Sequence, residues 1–472
     1  MVSHAATSRW FKLPPLPIGD GPDYDMLAFS INEGGLSAAL AGDGLRINTG
    51  NPQWRAPYEA AASAAPDSSP SYADLLSAEP QKRVSTGRPP LFPVVVSLVY
   101  KVAGRGETGF AAVRTLLALS LAISVSLAAV MAALLVQRMA PAAPMWSPVV
   151  AAAITLLLGV TNNTLKTYSE DFLTEPLALL LMQAFVLSVL ARDPVADQSS
   201  STGARLSTAI CAGLLLGLAI LCRSMFVLWL PAIAVLAVLY KRSDGRSRFV
   251  WAAALISSAV LVCLPWWIRN YRVTDDYSPL GTKGMITLVG GYCDAALEAG
   301  GDWQFEPEQE LRAELRAEGL TEQTAQPDSP EIDPFAAGTR FEVALAKRSR
   351  VQVMTWVREN SYEFAQLAWA RIVTHWNPYS AKILLWRFAC ALGAVTLLMN
   401  LRRESWWLLG LPVTSTLVVA CLYSVGGRFL VPIYGILFCL PSLPLALLWR
   451  SRDIRPSSPT VEPTRRTPLR EH

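Results

Sequence analysis

Apolar residues along this chain fall in continuous runs rather than in stripes. Nine stretches are hydrophobic on every side: 109–136, 147–165, 172–191, 206–222, 225–240, 249–268, 381–400, 405–423 and 429–449. Most approach the ~20 residues that a helix needs to cross a bilayer. A helix with no polar face has to be covered by lipid or protein all round. The pattern therefore predicts an all-α polytopic membrane protein with about nine transmembrane helices. Residues 89–103 are apolar but too short for a span, and read as re-entrant or interfacial. Ahead of them, 26–41 reads as a short amphipathic helix and 42–86 as a polar loop rich in Ser, Pro and Ala. Residues 269–380 form a long hydrophilic insertion with a Gly-rich acidic start, a charged helix near 307–320 and a helix over 336–373. Trp356, Trp369 and Trp376 toward the end of that helix suit an element lying at a membrane surface.

Composition agrees with the runs. Hydrophobic residues make up 52% of the 472 and charged residues only 17%. The net charge of +4 is too small to point to nucleic acid. Seven cysteines are dispersed, six of them in apolar segments, with no spacing that suggests a disulfide framework or a metal knot. His4, His375 and His472 are too scattered for a histidine-based zinc or relay site.

The placement of charge is more informative than its sum. Arg138, then Arg192 and Arg205, then Lys241, Arg242, Arg246 and Arg248, then Arg402 and Arg403, and finally the Arg450–Arg470 tail all fall on one side of the span list. The positive-inside rule makes that side cytoplasmic. The other side receives Asp20, Asp23 and Asp25, then Arg88, Arg114, Glu170, Asp171, Glu175, Arg223, the insertion with Arg269 at its border, and Arg428. The middles of the helices are almost uncharged. Charge in hydrocarbon is costly, so a polar site is being assembled at one membrane face and not as a path across it.

Several short strings resemble the GT-C glycosyltransferases, in the branch that holds bacterial protein O-mannosyltransferases and the aminoarabinose transferase of lipid A. They are Asp20-Gly-Pro-Asp-Tyr-Asp-x-x-Ala28, Gly87-Arg-Pro-Pro-Leu-Phe-Pro93, Arg114, Tyr168-Ser-Glu-Asp-Phe-Leu-Thr-Glu175-Pro, Gly213-x-x-x-Gly-Leu-Ala-Ile-Leu-Cys-Arg223, Pro265-Trp-Trp-Ile-Arg-Asn270 and Gly427-Arg-Phe-Leu-Val-Pro432. Each is degenerate, and the specificity lies in their order, spacing and common face. The resemblance implies a GT-C helical bundle with juxtamembrane helices and a mainly helical periplasmic insertion. It also implies sugar transfer from a polyprenyl-phosphate donor to a glycan, lipid or protein acceptor at the periplasmic face of a bacterial inner membrane. Asp20 aligns with the family's catalytic aspartate. In that family a first transmembrane helix precedes the aspartate, whereas residues 1–25 contain no apolar stretch, so this chain is expected to lack that helix.

On chemical grounds, an acceptor hydroxyl attacking an anomeric carbon needs a base, and a carboxylate whose pKa is raised by burial can serve. Asp20 is the candidate base, with Asp23, Tyr24 and Glu175 as candidates for positioning acceptor or donor. The departing lipid phosphate calls for cations. Arg88, Arg223, Arg269 and Arg428 are the candidates, because guanidinium binds phosphate bidentately and stays charged when buried. No cofactor is required, although Asp20, Asp23 and Glu175 could hold a divalent metal if they converge. Plainer readings stand beside these. The aspartates could cap the next helix, Glu175 could complement a helix dipole, and each arginine could be an anchor reaching for the interface. A lipid flippase or transporter, a glycan ligase and a non-catalytic scaffold are the competing classes. The predicted organisation is an outer-face segment 1–108, transmembrane helices over 109–268, the insertion 269–380, C-terminal spans over 381–449 and a disordered cytoplasmic tail 450–472.

Overall fold

The computed structural model describes residues 9–17, 19–40, 44–64, 72–191, 202–240, 245–320, 333–377, 380–422 and 428–450. The 451–472 tail and the loop cations Arg192, Lys241 and Arg242 lie outside the described residues. In chain order the elements begin with α1 (Arg9–Lys12), α2 (Gly21–Leu40), β1 (Arg46–Asn48), α3 (Pro52–Ala64), α4 (Tyr72–Ser77), β2 (Lys82–Val84) and α5 (Leu91–Ala103). The first membrane group comprises α6 (Glu107–Met139), α7 (Trp146–Val160), α8 (Asn163–Glu170), α9 (Glu175–Ala191), α10 (Thr202–Cys222), α11 (Leu230–Tyr240) and α12 (Gly245–Thr274). The insertion contributes α13 (Gly281–Val289), α14 (Asp294–Glu298), α15 (Glu306–Ala317), α16 (Pro334–Glu359) and α17 (Ser361–Trp376). The chain returns through α18 (Ala381–Asn400), α19 (Arg402–Cys421), α20 (Tyr434–Cys439) and α21 (Leu445–Arg450), with 3-10 turns at Ser224–Trp229 and Arg428–Ile433.

This is an all-α polytopic membrane protein, apart from one small two-stranded ribbon. Among the described residues five helical segments are long and apolar enough to cross a bilayer: Glu107–Met139, Arg246–Thr274, Ala381–Asn400, Glu404–Cys421 and Arg428–Leu448. The segment expected at 147–165 is a pair of helices, α7 and α8, bent by 54° at a break. Asn162 makes that break, its side chain accepting from Leu165 N as the cap of α8. The segments expected at 172–191, 206–222 and 225–240 form shorter apolar helices.

Large apolar side chains of the spans point both ways. Leu384, Leu385, Phe388, Leu392 and Val395 of α18 are exposed, as lipid-facing residues must be, whereas Phe185, Phe226, Trp229 and Trp407 are buried inside the bundle. Gly213 and Gly217 explain one of the motif strings. A Cβ at Gly213 would strike the Leu255 carbonyl, and one at Gly217 would lie 2.7 Å from Val262 Cβ. Small residues four apart let α10 and α12 cross at backbone distance.

Four local expectations are corrected. Residues 42–86 are not a plain loop: β1 and β2 pair antiparallel, Arg46 opposite Val84 and Asn48 opposite Lys82, and α3 and α4 sit between them. Buried Leu45, Ile47, Trp54, Tyr58 and Tyr72 hold this unit to the protein, and Trp54, Tyr58 and Ala61 recur at helical spacing amid the Ala and Pro. The helix expected to start at 26 starts at Gly21. The helix expected over 336–373 is broken at Asn360, whose φ of −119° and ψ of 53° end α16. The Trp266–Trp267 pair, which would suit an interfacial belt, is buried in the bundle. The insertion has a core of its own, with Ile286, Val289, Tyr292, Leu311, Phe341, Leu345 and Leu367.

Candidate functional site

The stretch that leads to Asp20 is pinned by polar anchors. Arg114, fully buried on α6, donates to the carbonyls of Phe11 (2.9 Å), Leu13 (2.6 Å), Pro14 (3.2 Å) and Glu170 (2.6 Å). The Asp171 carboxylate accepts from Leu16 N at 3.2 Å and Phe172 N at 2.7 Å. Burial raises the Asp171 pKa above the ordinary range. Gly21 fits against this anchor, where a Cβ would lie 2.8 Å from Pro15 and 2.9 Å from the Asp171 carboxylate. Phe11, Leu13, Pro14 and Leu16 are thereby tied to Arg114 of α6 and to Asp171 at the end of α8.

The acidic cluster then divides. The Asp20 carboxylate meets Arg88 Nη2 at 2.7 Å and Arg428 Nη2 at 2.9 Å. Asp23, one helical turn on, accepts from Arg88 Nε at 3.1 Å and Nη2 at 2.9 Å. Asp25 faces the opposite way. It is fully buried and accepts from the Tyr58 and Tyr100 hydroxyls (3.1 and 2.6 Å) and from Arg105 (3.1 and 2.7 Å). It braces α2 on α3 and α5. Asp20 and Asp23 stand at the start of α2, and both are engaged by arginines.

From Asp20 the ion pairs continue across the site. Arg428 Nε pairs with Glu175, which is fully buried and also meets Arg223 Nη1 at 2.6 Å. Arg223 Nη1 further donates to Thr174 Oγ1 at 3.2 Å. The order is Asp23, Arg88, Asp20, Arg428, Glu175, Arg223: three carboxylates and three guanidinium groups in strict alternation. Groups up to 408 residues apart are joined. Arg88, Arg223, Arg428, Asp20, Asp23 and Glu175 are thus brought together. Tyr24 packs edge-on to Phe92 with ring centroids 5.0 Å apart and lies beneath Arg88. Burial pushes its phenol up to about 12, so it stays protonated.

Arg269 is the exception. It is buried, donating from Nη1 to the Ser85 carbonyl at 2.5 Å and to Asn270 Oδ1 at 3.0 Å, and lies over the Trp266 ring. Asn270 Nδ2 reaches the Thr86 carbonyl at 3.3 Å. The two residues fix Ser85 and Thr86, the stretch that leads from β2 to Arg88. The structure does not bring Arg269 to the cavity, and its Nη1 is held by the Ser85 carbonyl and Asn270.

Asp23, Arg88, Asp20, Arg428 and Arg223 of the alternating chain line a cavity of about 1060 Å³, whereas Glu175 is fully buried and does not line it. The opposite wall comes from the insertion and was not anticipated: Lys283 and Thr287 of α13, Glu308, Arg312 and Arg316 of α15, with Trp303 and Phe305 at the rim and Arg83 from β2. Glu308 meets Arg312 at 2.8 Å and Lys283 at 3.7 Å. Burial pulls the Lys283 pKa down, against the pull of Glu308. Only the Glu308/Arg312 pair, four apart on a charged helix, had a signal in the sequence. Nothing in it pointed that helix at a cavity.

The Asp20 pKa departs from expectation. Burial raises it, but the charges and hydrogen bonds of Arg88 and Arg428 together outweigh burial and hold it well below the ordinary carboxylate range. In this state Asp20 is a weak base, not one strengthened by burial. Asp20, Asp23 and Glu175 lie in one network but spend their oxygens on arginine. Among the described residues no three His, Cys, Asp or Glu side chains are grouped to hold a metal ion.

No protein-family model matches the chain. No curated protein matches it either. Among solved structures it is similar to ArnT from Cupriavidus metallidurans in the apo state, at 14% identity and a TM-score of 0.37, over 96% of this chain and 77% of that one. It is similar to ArnT from Cupriavidus metallidurans bound to undecaprenyl phosphate, at 14% identity and a TM-score of 0.40, over 94% and 77% of the two chains. It is also similar to the Archaeoglobus fulgidus oligosaccharyltransferase in the apo form, at 14% identity and a TM-score of 0.43, over 91% of this chain and 51% of that one.

Proposed function

We propose that this chain is a GT-C type membrane glycosyltransferase. It moves a sugar from a polyprenyl-phosphate carrier to the hydroxyl of a glycan, lipid or protein acceptor, at the periplasmic face of a bacterial inner membrane. The observation that carries this reading is the convergence of Arg88, Arg223 and Arg428 with Asp20 on one cavity, the last two cations being joined through buried Glu175. Arg223 and Arg428 stand at the ends of apolar helices, which suits a substrate whose apolar tail stays in lipid while its phosphate and sugar enter the cavity.

The chemistry is a single inverting displacement. The acceptor oxygen bonds to the anomeric carbon as the bond from that carbon to the phosphate oxygen breaks, and the electron pair leaves with the phosphate. The acceptor proton passes to Asp20. Guanidinium groups beside the leaving phosphate stabilise charge that develops only as the bond breaks, which is where catalytic stabilisation is most effective. One base suffices for one displacement, so a second carboxylate flanking the sugar is not needed.

The resting arginine pairs supply a control. A donor phosphate competes with Asp20 for Arg88 and Arg428, and each guanidinium that it draws away lets the Asp20 pKa climb. Carrier binding therefore converts a weak base into a competent one. The test is consumption of a polyprenyl-phosphate sugar by purified protein in lipid with envelope acceptors. Asp20→Asn should slow it by ~10²–10⁴-fold while the protein stays folded. Undiminished turnover in that variant removes Asp20 as the base, and a wild type that consumes no such donor removes the reading itself.

A further inference from the structure

Behind the site, on the other side of β2, lies a second groove of about 710 Å³ between the end of α12 and the outer face of α16. The strand separates the two spaces: Arg83 faces the site cavity and the adjacent Val84 lines the groove, as alternation along a strand requires. Arg272, Arg340 and Lys347 line it, with Ala336 and Val343 between them. No carboxylate among the described residues pairs with these three cations. Asp333 also lines the groove, and its Oδ1 is engaged as the cap of α16, accepting from Phe335 N at 3.0 Å. Neighbouring cations are already matched, Arg348 by Glu318 at 2.7 Å and Arg350 by Asp276 at 3.0 Å.

The groove continues into two apolar tracks. On α12, Leu261, Leu264, Ile268 and Tyr271 are exposed at helical spacing, a stripe that faces lipid and ends beside Arg272. Tyr271 and Tyr277, 51% and 62% exposed, mark the level where aromatic residues sit at a membrane surface. On α16 the face through Arg340, Val343, Lys347, Val351, Met354 and Arg358 mixes basic and apolar residues, with Val351 63% and Met354 57% exposed. The opposite face of α16 buries Phe341, Leu345 and Val353 in the insertion core. A helix exposing apolar residues among cations suits the headgroup layer.

We propose that this groove binds the phosphodiester headgroup of an acidic phospholipid, with Arg272, Arg340 and Lys347 on the phosphate and the acyl chains running down the α12 stripe. The occupant is a bilayer lipid because the cations sit at the top of a lipid-facing stripe. A free anion would have no use for exposed Val351 and Met354.

The test uses full-length protein in nanodiscs of phosphatidylcholine with increasing phosphatidylglycerol, counting retained lipids by native mass spectrometry after mild extraction. Wild type should retain phosphatidylglycerol preferentially. R272Q/R340Q/K347Q should weaken that preference by ~100-fold, or about fivefold per cation. R350Q, which removes a matched cation, should leave it unchanged. Brominated phosphatidylglycerol should quench V351W more than it quenches wild type, whose 15 tryptophans set the background, and that excess reads lipid contact at position 351 even if the triple variant folds poorly. Equal retention of both lipids by wild type, displacement of the lipid by millimolar inorganic phosphate, or no excess quenching of V351W over wild type would each overturn the proposal.

Discussion

Arg428→Gln tests the alternating chain at its midpoint. Arg428 is shared by Asp20, at 2.9 Å, and by Glu175, so its loss takes each carboxylate from two guanidinium partners to one. Asp20 keeps Arg88 at 2.7 Å, and Glu175 keeps Arg223 at 2.6 Å but has no exposure through which water could compensate. Stripping a buried charge of its partner costs ~3–5 kcal/mol. One partner survives here and the Arg428 side chain is 24% exposed, so about half of that is expected, ~2 kcal/mol, or roughly 30-fold in the unfolding equilibrium. The pH dependence has a definite sign. The folded pKa of Asp20 lies below its ordinary 3.8, so its contribution is present above that value and lost as pH falls toward the folded one. Losing Arg428 raises the folded value and shrinks the contribution. The deficit of the variant should therefore be largest at neutral pH and narrow below about pH 4. Buried Trp229 and Trp407 provide the readout, through intrinsic fluorescence during thermal unfolding at pH 7 and pH 3. Arg428→Lys should restore stability more than turnover, because an ammonium cannot offer the guanidinium's paired donors. A deficit independent of pH, or no deficit at all, would refute the pairing on which the site is built.

Three further substitutions separate scaffold from site. Asp25→Asn deprives buried Arg105 of its charge partner and should cost ~3–5 kcal/mol in thermal unfolding, with carrier affinity in the folded fraction unchanged. Gly21→Ala forces a methyl against Pro15 and the Asp171 carboxylate; a loss of ~1–3 kcal/mol is expected, with a turnover defect at temperatures where the variant remains folded. Arg269→Gln should lower stability by ~1–3 kcal/mol and leave donor KM nearly unaltered, whereas Arg88→Gln should raise donor KM strongly; steady-state kinetics beside a melting curve distinguishes them.

The apolar helices were legible because lipid demands one thing of a sequence, apolar length, although of the nine expected spans only five are long enough to cross among the described residues, or six if the bent pair is one span. Their breaks were less so. The bend at Asn162 and the stop at Asn360 are set by single residues inside patterns that otherwise read through. The 42–86 segment was misread as a loop because its helix-forming alanines and burying aromatics, Trp54 and Tyr58, are diluted by proline and serine. Such a unit declares itself only through the surface that it covers.

The site shows a sharper boundary. Arginines at span ends could be gathered from the sequence, since charge avoids hydrocarbon, but which carboxylate each would meet could not. Arg88, Arg223, Arg269 and Arg428 look alike in one dimension. What sets Arg269 apart is the backbone carbonyl of Ser85, 184 residues away, which takes its Nη1 and turns it from ligand to brace. The same long-range pairing reverses the reasoning about Asp20. Burial alone would have made it a stronger base, whereas burial beside two arginines makes it a weaker one until something negative arrives. A base held down by the cations that a phosphate would claim can accept a proton only once the phosphate is in place. On this reading the arginine pairs that stabilise the empty site also restrain proton transfer before the donor is bound.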